Sequence, residues 1–89
     1  MERREIVRPA RAGSVESNDL LVIISPAEEL SIDISSEVSL QYGDEIRRVV
    51  EETLKEHCVE KGQIKIEDKG ALDFTIRARV EAAIFRGSK

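Results

Sequence analysis

The sequence predicts a small α+β domain, a mixed β-sheet with two helices packed on one face, in the order β-β-β-α-β-α. Three observations predict it. Leu20-Leu21-Val22-Ile23-Ile24 is apolar on both alternating faces, the mark of a central strand covered on both sides. Leu30-Ser31-Ile32-Asp33-Ile34-Ser35 alternates strictly, as a strand with one buried face does. Two later segments repeat apolar residues at helical spacing. With 89 residues the chain has room for one core.

Taken in order, Ala12–Val15 is expected as the first strand, joined to Leu20–Ile24 through a turn at Glu16-Ser17-Asn18-Asp19. Pro26 ends the second strand. The third is Leu30–Ser35, and the three suit hairpins. Ile46, Val49, Val50 and Leu54 then form a helical stripe, which Val38 and Tyr42 extend backwards in steps of four. Ser36 is placed to cap a helix ending near His57, with Gly43 tolerated at a cost of ~1 kcal/mol; the alternative start is Asp44. Ile64-Lys65-Ile66-Glu67 is a short fourth strand, completing a crossover unit with the third strand and the helix. The second helix is expected over Gly70–Arg86. Leu72, Ile76, Val80 and Ile84 make its row, Phe74, Ala78 and Phe85 broaden it, and Asp73, Arg77 and Glu81 form an exposed ladder. Asp68 favours its N-terminus, and Gly87 stops it.

One feature departs from a plain two-layer domain. The second strand is apolar on both faces while its neighbours are polar on one. An outer row, either Leu20, Val22 and Ile24 or Leu21 and Ile23, is therefore left for another subunit or the N-terminal segment to cover.

The net charge of -4 is unevenly spread. Residues 1–11 carry four arginines against two glutamates and are expected as a flexible basic segment ahead of a single domain over residues 12–89. That domain holds 10 basic and 16 acidic side chains, a balance that does not attract nucleic acid. With Tyr42, Phe74 and Phe85 the only aromatics, stacking platforms for single strands are missing and the core must be aliphatic. No apolar run has the length of a membrane span, and the leader lacks a secretory pattern. One cysteine, Cys58, excludes an internal disulfide. The expectation is a soluble cytoplasmic domain.

Catalytic constellations are missing from this inventory. His57 and Cys58 are adjacent near a helix end, where neighbouring side chains point apart, so they make a poor nucleophile–base pair. The acidic run Glu51, Glu52, Glu56 and Glu60 has the spacing of a solvated helix face, and no metal motif is present. Asp68-Lys69-Gly70 before a helix suits either a phosphate or, more simply, a capped helix start. Ser17 offers an exposed hydroxyl in a turn, accessible to a modifying enzyme that supplies the base and the leaving group. Spacing alone does not distinguish it from other exposed serines.

Ala12-Gly13-Ser14-Val15-Glu16-Ser17-Asn18-Asp19 resembles the modification segment of the acyl carrier (γ) subunit of citrate lyase, which typically reads Ala-Gly-Thr-Leu-Glu-Ser-(Gly/Ser)-Asp. Tyr42-Gly43-Asp44-Glu45-Ile46-Arg47 is similar to that family's Phe-Gly-Asp-Ala-Ile-Arg. Asp68-Lys69-Gly70-Ala71-Leu72-Asp73, with Arg77-Ala78-Arg79 behind it, matches a third stretch. The resemblance implies a non-catalytic carrier. Ser17 would hold, by a phosphodiester, a phosphoribosyl-dephospho-coenzyme A group derived from triphosphoribosyl-dephospho-coenzyme A, with no metal. Its thiol would bear acetyl, which an alpha (acyl transferase) subunit exchanges for citrate. A beta (citryl lyase) subunit would then release oxaloacetate. A prosthetic-group transferase and an acetylating ligase would load the carrier. The carriers of citramalate lyase and malonate decarboxylase use the same kind of arm, and an unmodified scaffold subunit is the reading from another class. Asn18 and Phe74 depart from the family pattern; Asn suits a turn, and Phe74 bears on packing.

Overall fold

The computed structural model describes residues 3–36 and 39–89, without the side chains of residues 39–43. Its elements are β1 (Ala10–Gly13), β2 (Leu20–Ser25), β3 (Leu30–Ser36), α1 (Ser39–Glu56), β4 (Gly62–Asp68) and α2 (Asp73–Gly87). This is the predicted order. The sheet runs β1-β2-β4-β3, with β3 parallel to β4 and the other pairs antiparallel. The β3-α1-β4 crossover therefore forms as expected, as does the β1–β2 hairpin. A β2–β3 hairpin does not, because β4 lies between them. The physical reason is visible in the strands. β2, apolar on both faces, is a central strand, whereas β3, with Ser31, Asp33 and Ser35 on one face, tolerates the edge.

The register aligns Ile24, Ile64 and Ile32 in one row across the sheet and Val22, Ile66 and Ile34 in the next. These rows face both helices, and Leu20, Val22, Ile24 and Ile64 are fully buried. Each such side chain contributes roughly 1.5–3 kcal/mol on burial. The buried core is aliphatic among the described residues. On the far face Leu21 is half-buried and Ile23 is 36% exposed, so these two form the outer row.

Helix α1 takes the earlier of the two expected starts and buries Ile46, Val49, Val50, Thr53 and Leu54. Val38 and the side chain of Tyr42 lie outside the described residues. Thr53 satisfies its buried hydroxyl by donating to the Val49 carbonyl at 2.7 Å. The residues between Ser36 and the first turn of α1, where the expected cap would act, lie outside the described residues. Ser36 ends β3, and its hydroxyl donates to Asp68 at 2.8 Å. The C-terminus closes as a Schellman motif: Val59 N–H bonds to Leu54 O, Cys58 N–H bonds to Lys55 O, and Cys58 takes a φ of 58°.

Helix α2 begins three residues later than expected. Gly70 adopts a φ of 94°, and Asp68 accepts the Ala71 N–H, holding residues 69–72 as a loop. Its buried face is Ile76, Val80, Ala83, Ile84 and Gly87, while Leu72, Phe74, Ala78 and Phe85 are exposed. The expected i,i+4 ladder is also different. Arg77 pairs across to Glu56 of α1, and Glu81 pairs with His57 at 2.7 Å. Gly87 is helical, and a Cβ there would stand 3.2 Å from both Arg8 O and Ile24 Cγ2. That close approach admits the N-terminal segment. Val7 N–H bonds to Gly87 O at 2.8 Å, Arg4 N–H bonds to Cys58 O at 3.0 Å, and Ile6 enters the core. The segment expected as a flexible leader is thus tied to the body from Arg4 onward.

Candidate functional site

The β1–β2 connection, residues 14–19, is a loop braced from several sides. Gly13 opens it with a φ of 88°, and a Cβ there would lie 1.9 Å from Leu20 O, so only glycine fits. Ser14 N–H continues the hairpin to Leu20 O. Asp19 organises the interior of the loop. Its carboxylate accepts Ser14 Oγ–H at 2.8 Å, Leu20 N–H at 2.8 Å, and Arg79 Nε–H and Nη2–H at 3.0 and 3.2 Å. The Arg79 hydrogen bond is the main reason the Asp19 carboxyl sits below its ordinary range, and desolvation opposes it.

A second brace comes from the β4–α2 loop. Asn18 N–H bonds to Lys69 O at 2.8 Å, and Lys69 N–H bonds to Asp19 O at 2.9 Å. Asn18 adopts a φ of 67°, a left-handed conformation that Asn tolerates better than most residues. Between these fixed neighbours Ser17 is exposed, and no hydrogen bond engages its hydroxyl among the described residues. The loop therefore presents one free hydroxyl on a held backbone.

The three sequence segments singled out above meet at this end of the molecule. Residues 12–19 carry Ser17, Asp68 to Gly70 clamp that loop, and Arg79 reaches Asp19 across 60 positions of sequence. Glu45 and Ile46 of α1 join Asp68, Gly70 and Ala71 around a cavity of about 300 Å³. The Asp19–Arg79 pair is the part that residue-level reasoning missed. Each residue lies within a segment of the family resemblance, but nothing local in the sequence connects them. Asp68, expected to favour a helix N-terminus, is instead a buried hub bonded to Ser36 and Ala71.

Other candidates lie elsewhere. His57 and Cys58 follow α1 at its far end, roughly 27 Å along the axis from the first turn. His57 meets Glu81 and the edge of the Phe85 ring. Glu51, Glu52, Glu56 and Glu60 form an exposed acidic face. Among the described residues no group of His, Cys, Asp or Glu is placed to hold a metal, and no helix is long and apolar enough to cross a membrane.

The family described as Malonate decarboxylase delta subunit (MdcD) matches residues 7–87. The citrate lyase acyl carrier protein of Enterobacter sp. (strain 638) is 55% identical over 86 residues, covering 96% of this chain and 89% of that protein. Its counterpart from Treponema denticola is 46% identical over 85 residues, covering 96% and 98%. Among solved structures, a chain of a Pseudomonas malonate decarboxylase hetero-tetramer in complex with malonate shares the fold. Its TM-score is 0.81 at 24% identity, over 94% of this chain and 88% of that one. These likenesses define an acyl carrier, which holds a covalently attached prosthetic group for other subunits and is not itself a catalyst. Within that class, the chain belongs to the citrate lyase acyl carrier protein family.

Proposed function

We propose that this chain serves citrate cleavage as the cytoplasmic carrier subunit, with Ser17 bearing the phosphoribosyl-dephospho-coenzyme A arm through a phosphodiester. One observation carries the reading: segments scattered through the sequence converge on the loop that leaves Ser17 exposed and braced. The site fits the group because the hydroxyl is free and the backbone on either side of it is already hydrogen-bonded, Glu16 N–H to Ser14 Oγ and Asn18 N–H to Lys69 O. In loading, Ser17 Oγ replaces pyrophosphate on the triphosphoribosyl donor and gives its proton to a base of the prosthetic-group transferase. When bound, the group supplies a thiol that carries the acyl unit as a thioester.

The chain's own residues tether and position. Asp19, Arg79 and the Lys69 backbone keep the loop from collapsing, so the attachment point stays extended from the body. Tethering makes each delivery to the acyl transferase (alpha) and citryl lyase (beta) subunits intramolecular, raising effective concentration to the millimolar range on the order of a short flexible linker. Citrate is then cleaved to acetate and oxaloacetate, with the acetylating ligase maintaining the thioester.

The family description with malonate in its name supports a second reading, a malonate decarboxylase carrier, with citramalate lyase as a further relative. The 55% identity to a citrate lyase carrier favours citrate. Reconstitution decides. Loaded, acetylated chain mixed with citrate lyase alpha and beta subunits should release oxaloacetate from citrate, and Ser17→Ala should release none. Turnover only with malonate decarboxylase subunits would overturn the assignment.

A further inference from the structure

A cavity lies near the start of α2, beside the loop that carries Ser17. Its volume, about 300 Å³, sits at the lower end of small-molecule sites, and its apolar wall is formed by Ile46, Gly70, Ala71, Leu72 and Ile76. Gly70 links it to the carrier loop. A Cβ on Gly70 would stand 3.7 Å from Asn18 Oδ1, and Lys69, one residue before, makes both backbone bonds to residues 18 and 19. The cavity thus begins where the Ser17 loop is clamped.

The charges sort what can enter. Glu45 and Asp73 stand at the cavity with Arg48 between them and Glu52, an arrangement with more negative than positive charge. The Arg48 hydrogen bond holds the Glu45 carboxyl below its usual range, so it is ionised at neutral pH. Phosphates are repelled there, whereas a neutral, mostly apolar chain is not. Asp68 offers no competing polar surface, since its carboxylate already accepts from Ser36 and Ala71. Leu72 is 63% exposed, an apolar wall that an occupant would cover.

We propose that this cavity seats the thiol end of the arm carried by Ser17, folded back between transfers with its phosphates left in solvent. The assignment rests on Ser17 as attachment point. Because the arm is tethered beside the cavity, weak intrinsic affinity suffices. Seating places the thioester against Ile46 and Ile76 and away from water, and partner subunits must draw it out.

The test uses the Cys58→Gly chain, in which the arm carries the sole thiol. Loaded, deacylated protein is first checked by intact mass and peptide mapping. The thiol is then reacted with an aromatic disulfide reagent, and methyl NMR spectra of Ile46 and Ile76 are compared between unloaded and loaded forms. The expected results are shifted methyl signals on loading and a reaction roughly threefold or more faster in Leu72→Asp, where the seated population falls. Leu72 is exposed, so the substitution leaves the fold intact. Equal rates with unshifted methyls, on protein mapped as loaded at Ser17, would overturn the cavity assignment and leave Ser17 standing. Methyl shifts that arise only after a catalytic subunit is added would overturn it too. A missing arm, or one mapped to another residue, would remove the Ser17 reading and the cavity assignment together.

Discussion

At the residue scale, the site depends on two positions that do no chemistry. Asp19 joins four hydrogen bonds in one carboxylate, and the lowered pKa shows that its ionised form is preferred in the fold. A depressed carboxyl contributes stability above its unfolded value near 3.8 and loses it as pH falls through the lower folded value. Asp19→Asn should therefore cost about 1 kcal/mol at pH 7, a modest figure because half-exposed Arg79 is partly screened. Urea unfolding across pH should show that gap closing on the acid side of the ordinary carboxylate range. Gly13 is the second position. With a Cβ 1.9 Å from Leu20 O and a positive φ, Gly13→Ala should lose about 3 kcal/mol or more in the same assay. Ser17→Ala, by contrast, should stay within about 0.5 kcal/mol of the parent, since the side chain is exposed.

At the scale of elements, alternation and helical spacing located β2, β3, β4 and both helices, because burial on one face leaves a period in the sequence. The first strand, expected over Ala12–Val15, lies two residues earlier at Ala10–Gly13. The errors arose where burial is set by partners distant in sequence. In α2 the large residues Leu72, Phe74 and Phe85 suggested a broad apolar face, whereas small Ala83 and Gly87 are the ones that pack beside Ile76, Val80 and Ile84. Small residues give a weak periodic signal, and their role depends on the N-terminal segment lying against Gly87. The phase of the helix is checked by contrast: Ile84→Ala should cost about 2–5 kcal/mol, and Phe74→Ala at most about 0.5 kcal/mol. The end of α1 gives an opposite case. Cys58 holds a left-handed position that glycine occupies without strain, so Cys58→Gly should raise stability by up to ~1 kcal/mol in thermal or urea unfolding.

At the scale of the whole molecule, the strand order that pattern reading left open is what builds the site. Insertion of β4 beside β2 brings Lys69 against Asn18 and Asp19, and the crossover places Glu45 and Ile46 near Gly70. Ser17 stands out only through the family resemblance, because an exposed turn serine has no distinguishing spacing. Its bracing was not legible at all, since Asp19 and Arg79 meet through tertiary packing. The central claim is that this braced loop exists to present one modifiable hydroxyl. Intact mass after co-expression with the prosthetic-group transferase tests it most directly, with wild type, Ser17→Ala and the neighbouring Ser14→Ala compared. Wild type and Ser14→Ala should each gain a single nucleotide-bearing arm while Ser17→Ala stays at its unmodified mass. An equal gain on all three proteins, or a gain lost only in Ser14→Ala, would contradict the account.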